Sequence, residues 1–256
     1  MYLPSFSLEG KTVIVTGAGR GIGRAIAIGM AEAGADVGVI ARTEADLQST
    51  AAEIEKLGQK SYIVKADVTK REQVKSAIEQ IINETGSIDI LVNNAGMNIR
   101  SKALDVTDEE WQQIMDTNLK SAFMFSQEVG RHMKEKKAGK IITITSVGGH
   151  VALRTGVAYA ATKAALIQMT KVLALEWGKY NINVNAIGPW YFKTPLTEKL
   201  LQDKEYVKDI LAVTPMKRVG ELEELVGPAV FLASEASKYM NGQTIFVDGG
   251  MTIQGF

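Results

Sequence analysis

Residues 12–34 read TVIVTGAGRGIGRAIAIGMAEAG: a short apolar run, a glycine-rich turn, and an amphipathic stretch that ends in glycine. The run lacks polar/apolar alternation, as expected of a strand buried on both faces. In the turn TGAGRGIG, Gly17, Gly21 and Gly23 let the backbone come close to a phosphate group. The helix that follows would offer free amides and the positive end of its dipole to the same group. Strand, glycine turn and helix in this order are the opening unit of a dinucleotide-binding sheet, although the spacing is G-x-x-x-G-x-G rather than G-x-G-x-x-G.

The pattern repeats outward. DVGVIA (36–41), YIVKAD (62–67), IDILVNNAG (88–96), KIITITS (140–146), INVNAIGP (182–189) and QTIFVDGG (243–250) bring the strand candidates to seven. Amphipathic stretches such as 44–58 and 71–86 lie between them and end in glycine, the residue favoured just past a helix C-terminus. Strand and helix in alternation imply right-handed crossovers and a doubly wound parallel sheet with helices on both faces. No proline occurs between Ser5 and Gly188 and no linker-like segment divides the chain, so residues 1–256 are read as a single α/β domain. The stretch 189–215, bounded by Pro189 and Pro215, leaves the sixth strand without entering a helix at once. It departs from the strand edge where ligands bind in such sheets and is read as a substrate lid.

The chain carries 29 Lys plus Arg against 29 Asp plus Glu and no cysteine. A balanced charge gives no reason to expect nucleic acid or a membrane surface as partner. Disulfides, thiolate metal sites and a thiol nucleophile are excluded together. His132 and His150 are the only histidines and show no ligand spacing, so no metal is expected. The N-terminal MYLPSFSLEGK has no signal-peptide pattern and no apolar run is long enough for a membrane helix, which makes the cytoplasm the expected compartment.

Asp36 lies about 20 residues past the first glycine, where an acidic residue would hold the ribose hydroxyls of NAD. It begins the second strand, however, and at about 3.3 Å per residue the ligand edge at Ala41 is more than about 15 Å away. At that edge stands Arg42, and Arg20 lies in the glycine turn; two guanidiniums suit a 2′-phosphate. NADP(H) is therefore favoured over NAD(H), which the nearby Glu44 keeps in play.

In VAYAATKAAL, Tyr159 and Lys163 are one helical turn apart with only small residues between them. They share a helix face. A cation within about 6 Å favours the phenolate, so the pair is suited to proton exchange. Ser146 ends the fifth strand at the same edge, where its hydroxyl could hold a substrate oxygen.

With TGAGRGIG, NNAG at 93–96, TNL with Asn118, Ser146 and Y-x-x-x-K at 159–163 in this order, the whole chain resembles the short-chain dehydrogenase/reductase family. The resemblance implies a single Rossmann-type domain, a hydride transfer between nicotinamide and a carbonyl carbon, and a homotetramer. It implies that Tyr159 is the acid/base, that Lys163 tunes it and holds the nicotinamide ribose, that Ser146 orients the carbonyl, and that Asn118 supports a relay water. The cofactor would rest on Gly17, Gly19, Arg20, Gly21, Ile22 and Gly23. Asp67 and Val68 would flank the adenine, Asn94, Ala95 and Gly96 would line the cofactor, and Pro189, Phe192 and Thr194 would close the nicotinamide end. One departure is Trp190, where the family usually has glycine; it is read as lid packing or a substrate wall. Two substrates compete. Resemblance to 3-oxoacyl-(acyl-carrier-protein) reductases, with Lys136, Lys137 and Lys140 as a docking patch for an acidic carrier, leads. Gluconate and other polyol dehydrogenases are the alternative, with Arg100 placed to meet a sugar-acid carboxylate. A dinucleotide sensor without turnover is the least favoured reading, since Ser146, Tyr159 and Lys163 would have no use in it.

Overall fold

The computed structural model describes residues 2–253. All seven expected strands form: β1 (Thr12–Thr16), β2 (Asp36–Ala41), β3 (Ser61–Lys65), β4 (Ile90–Asn93), β5 (Gly139–Ile144), β6 (Ile182–Pro189) and β7 (Thr244–Val247). They make one parallel sheet in the order β3-β2-β1-β4-β5-β6-β7. The chain reverses direction across the sheet between β1 and β4, and the carboxyl ends there form the crevice in which such sheets bind ligands.

The strands read as continuous apolar runs because both of their faces are covered. Val13 and Val15 belong to one buried cluster and Ile14 to the other; Ile90 and Val92 are likewise separated from Leu91, and Ile142 from Ile141. This is the two-residue alternation of a strand expressed in two cores. The first core is closed by α1 (Gly21–Glu32), α2 (Glu44–Lys56) and α9 (Glu223–Ala233), through residues such as Ile26, Leu47 and Leu225. The second is closed by α3 (Arg71–Thr85), α5 (Ser121–Lys136) and α6 (Val157–Trp177), through Ile78, Phe125 and Leu173. A fully buried side chain such as Phe125 contributes about 1.5 to 3 kcal/mol.

Before α5 lies α4 (Asp108–Ile114), started by Thr107, whose side chain accepts from the Glu110 amide. The two helices are continuous through a wide π turn at Met115–Lys120 that contains Asn118. After β6 the chain does not loop out freely. Tyr191 and Phe192 are buried, and α7 (Glu198–Leu201) and α8 (Lys204–Ala212) follow before α9. Among the described residues no helix is long and apolar enough to cross a membrane.

Strand direction disposes of Asp36. It is in register with Thr12 at the start of β1, and its carboxylate accepts from the Lys60 amide at 2.8 Å, on the edge opposite the crevice.

Candidate active site

Thr16, the last residue of β1, organises the crevice. Its hydroxyl oxygen accepts from the amides of Asn94 and Ala95, both at 3.0 Å, while the Asn94 side-chain amide donates to the Thr16 carbonyl at 2.8 Å. The glycine turn and NNAG are thereby locked together across the switch point. A Cβ on Gly23 would stand 2.3 Å from both the Gly17 carbonyl oxygen and Asn94 Nδ2, so a larger residue there would push the turn apart. At the start of α1, Arg20 provides no side-chain cap and the first turn holds no acidic residue. Its free amides face a cavity of about 450 Å³. That combination fits a dinucleotide pyrophosphate.

Every cofactor residue expected from the sequence lines this one cavity, from Arg42, Asp67 and Val68 at one end to Pro189, Phe192 and Thr194 at the other. Asp67 is held below the usual carboxylate range, first by the Thr69 amide, with Arg42 adding its charge. Arg20 and Arg42 are exposed, and the arginine ion pairs among the described residues involve Arg71, Arg131, Arg154 and Arg218. Both guanidiniums are thus free to meet a phosphate. Glu44, the residue that would oppose one, lies 3.9 Å from Lys65.

At the other end, α6 carries Tyr159 in its first turn and Lys163 one turn later. Lys163 is buried, its Nζ donating to the Ile144 carbonyl at 2.8 Å and lying 5.5 Å from the centre of the Tyr159 ring. Burial pushes Lys163 down to about 8. Burial also pushes the Tyr159 phenol up, against the opposing pull of the Ser146 hydrogen bond and the Arg100 charge. The expectation that a neighbouring cation brings the phenol down is outweighed here by desolvation. The Ser146 oxygen accepts from the Gly148 amide at 3.0 Å, which leaves its proton for a second partner. Gly149 allows this turn to touch α6: a Cβ there would stand 2.5 Å from the Lys163 carbonyl carbon.

The Asn118 side chain is engaged by protein groups. Its side chain accepts from the Met97 amide at 2.8 Å, donates to the Met97 carbonyl at 2.9 Å, and reaches Thr162 Oγ1 at 3.3 Å. It is 1% exposed. Its side chain positions the loop after β4 and, through Thr162, the Tyr159 backbone carbonyl.

A family model described as "Enoyl-(Acyl carrier protein) reductase" matches residues 17–252. Gluconate 5-dehydrogenase of Gluconobacter oxydans (strain 621H) is 41% identical over 97% of each chain. A tropinone reductase homolog of Arabidopsis thaliana is 42% identical over 98% of this chain and 96% of its own. The crystal structure of a gluconate 5-dehydrogenase from Burkholderia cenocepacia J2315, in complex with NADP and tartrate, superposes with a TM-score of 0.95 at 40% identity, covering 99% of this chain and 100% of that one. The chain belongs to the short-chain dehydrogenase/reductase family.

A short-chain dehydrogenase/reductase is an NAD(P)-dependent oxidoreductase of CH–OH groups, and the reading as a sensor without turnover falls away. The relatives also favour the sugar-acid alternative over the 3-oxoacyl reading. The structure supplies the physical reason. Lys136 is paired with Asp89 at 2.6 Å, and Lys140 donates to Asn183 at 2.9 Å. Lys137 and Lys140 lie at the start of β5, whereas Ser146 follows its end, so the lysine cluster is at the wrong pole of the sheet to present a carrier to the crevice.

The substrate end is built by the segment after β6. Trp190 donates from Nε1 to Thr214 Oγ1 at 3.1 Å and meets the Tyr191 ring edge-on at 4.6 Å, so it both packs the segment and lines the cavity. The Arg100 guanidinium carbon stands 6.0 Å from the Tyr191 ring centre. The Tyr191 and Tyr206 hydroxyls share a hydrogen bond at 2.6 Å. Burial, then the Tyr206 hydrogen bond, pushes Tyr191 up to about 12 despite Arg100. Sequence reasoning passed over Thr16, Met97, Tyr191 and Tyr206. Thr16 stands inside the quoted motif; the others act through contacts distant in the chain. His132 accepts from the Ile88 amide and His150 stacks on Phe246, and no metal-ligand group occurs among the described residues.

Proposed function

We propose that this protein is an NADP(H)-dependent dehydrogenase of a small sugar acid, interconverting a secondary hydroxyl and a ketone on a gluconate-like chain. The observation that carries the reading is Arg100: a half-buried guanidinium with no carboxylate partner among the described residues, in the same cavity as Ser146 and Tyr159. Gluconate dehydrogenases among the relatives support it, as do the NADP and tartrate bound by one of them.

Bound NADP(H) supplies or accepts the hydride. The Ser146 hydroxyl donates to the substrate oxygen, and Tyr159 gives that oxygen its proton in reduction or takes it in oxidation. Lys163, too buried to hold its charge cheaply, shares the proton with Tyr159 and orients the ribose. Arg100 holds the carboxylate. Residues 189–215 close over the substrate and exclude water. The exposed apolar residues of α4, α5 and α6, among them Trp111, Phe123, Val172 and the 85%-exposed Leu175, are the contacts of a homotetramer. Sedimentation at micromolar protein should give four times the chain mass; a mass near 28 kDa would remove the assembly.

The deciding experiment follows oxidation of gluconate and related sugar acids with NADP⁺ and with NAD⁺. Gluconate turnover is expected, and Arg100→Ala should raise its KM about ten- to a hundredfold, the worth of one charge-assisted contact. Activity confined to uncharged substrates, or indifference to Arg100→Ala, would defeat the reading. Arg42→Ala should weaken NADPH by a similar factor and spare NADH, because only the former carries the 2′-phosphate. Equal loss for both cofactors would show that Arg42 is not the selector.

A further inference from the structure

Tyr206 does not line the cavity, yet its hydroxyl is bonded to a tyrosine that does. The Tyr191 ring is boxed by Trp190 edge-on at 4.6 Å, by Tyr206 edge-on at 6.0 Å, and by the Arg100 guanidinium at 6.0 Å. Fixing that ring therefore fixes what Arg100 leans against. Tyr206 belongs to α8, and three residues on, Asp209 accepts from Arg154 at 2.8 Å. Residues three apart lie on one helix face, so α8 is tied to the cavity wall along a single side. One tie is to the residue that supports Arg100. The other is to the loop between Ser146 and Tyr159.

We infer that Tyr206 is a positioning residue for the substrate anion: through Tyr191 it sets the Arg100 guanidinium, so that capture of a carboxylate and docking of α8 are one event. The inference rests on the sugar-acid reading of this site. The hydrogen bond between the two hydroxyls uses one of their two protons, and which tyrosine donates decides whether the other proton reaches the cavity. With Tyr206 donating to Tyr191, the Tyr191 hydroxyl is turned free to serve the acid beside Arg100. Tyr206→Phe keeps the ring and its packing and deletes that choice.

The test uses the full-length enzyme with NADP⁺ and gluconate. Tyr206→Phe should raise the gluconate KM about three- to tenfold, as for loss of one hydrogen bond, with kcat and NADP⁺ affinity held. Limited trypsin digestion reads α8 directly, because Lys204 and Lys208 are exposed. Gluconate should slow cleavage at both lysines in the wild type and fail to do so in Tyr206→Phe and in Arg100→Ala. If Arg100→Ala raises KM while Tyr206→Phe leaves KM and protection unchanged, the coupling is wrong and the sugar-acid reading survives. A lower kcat in Tyr206→Phe would mark it as a packing residue and overturn the inference. Wild-type enzyme that neither turns over gluconate nor is protected by it would remove both.

Discussion

Tyr159→Phe should lower kcat by about 10²- to 10⁴-fold, the range for removing a positioned general acid/base, while leaving NADP⁺ affinity intact. The ring stays against α6 and Lys163 keeps its bond to the Ile144 carbonyl, so only the transferable proton is lost. The same experiment has a pH arm. Burial raises the phenol and lowers Lys163 to about 8, so the pair loses its shared proton as pH climbs through that region. Wild-type alcohol oxidation should therefore rise with pH there and ketone reduction should fall. The residual rate of Tyr159→Phe should lack this dependence. Near-normal turnover in the variant would reject Tyr159 as the acid/base.

Lys163→Met should do two opposite things: reduce kcat at least about a hundredfold and make the cofactor-free protein more stable at neutral pH. Depression from an ordinary 10.5 to about 8 corresponds to about 3 kcal/mol of unfavourable burial of the charged amine. Leaving the Ile144 carbonyl unpaired returns about 1 kcal/mol of destabilisation, for a net gain of about 2. For a chain of this size that is a Tm increase of about 4 to 8 °C. The unfolded chain keeps the lysine proton up to its ordinary value, whereas the folded chain releases it above about 8, so wild-type stability rises with pH between the two. The advantage of the variant should accordingly be full below pH 8 and shrink by pH 10. A Tm unchanged or lowered at pH 7 would show that the buried ammonium is well solvated by its surroundings.

The strands were legible because burial on both faces leaves an unbroken apolar run, and counting residues along β2 was enough to reject Asp36. The pyrophosphate cradle was legible because its glycines are contiguous. Position along a strand also carried information that the docking-patch reading failed to use: Lys140 lies at the start of β5 and Ser146 follows its end, so the two poles could have been told apart by the same counting. What could not be read is contact between segments far apart in sequence. Nothing local marks Asn118 as the partner of Met97, and nothing in 204–212 marks Tyr206 as the partner of Tyr191. Such pairs are set by which loops the sheet brings side by side, and a polar residue facing another loop looks the same in sequence as one facing solvent.

The π turn at Met115–Lys120 makes the site sensitive to chain length as well as to composition. An α-helix advances about 100° per residue, and a wide turn holds one residue more than the regular path requires. Deleting a single residue there would let α4 run into α5 as an ordinary helix, with better backbone geometry and the same apolar residues in α5. The helices on either side would keep nearly the same phase, because the wide turn absorbs the extra residue, but Asn118 would lose the local bulge that holds its side chain against Met97. An irregularity that looks like a flaw in the helix is thus what lets one of its side chains reach a loop the regular helix would miss.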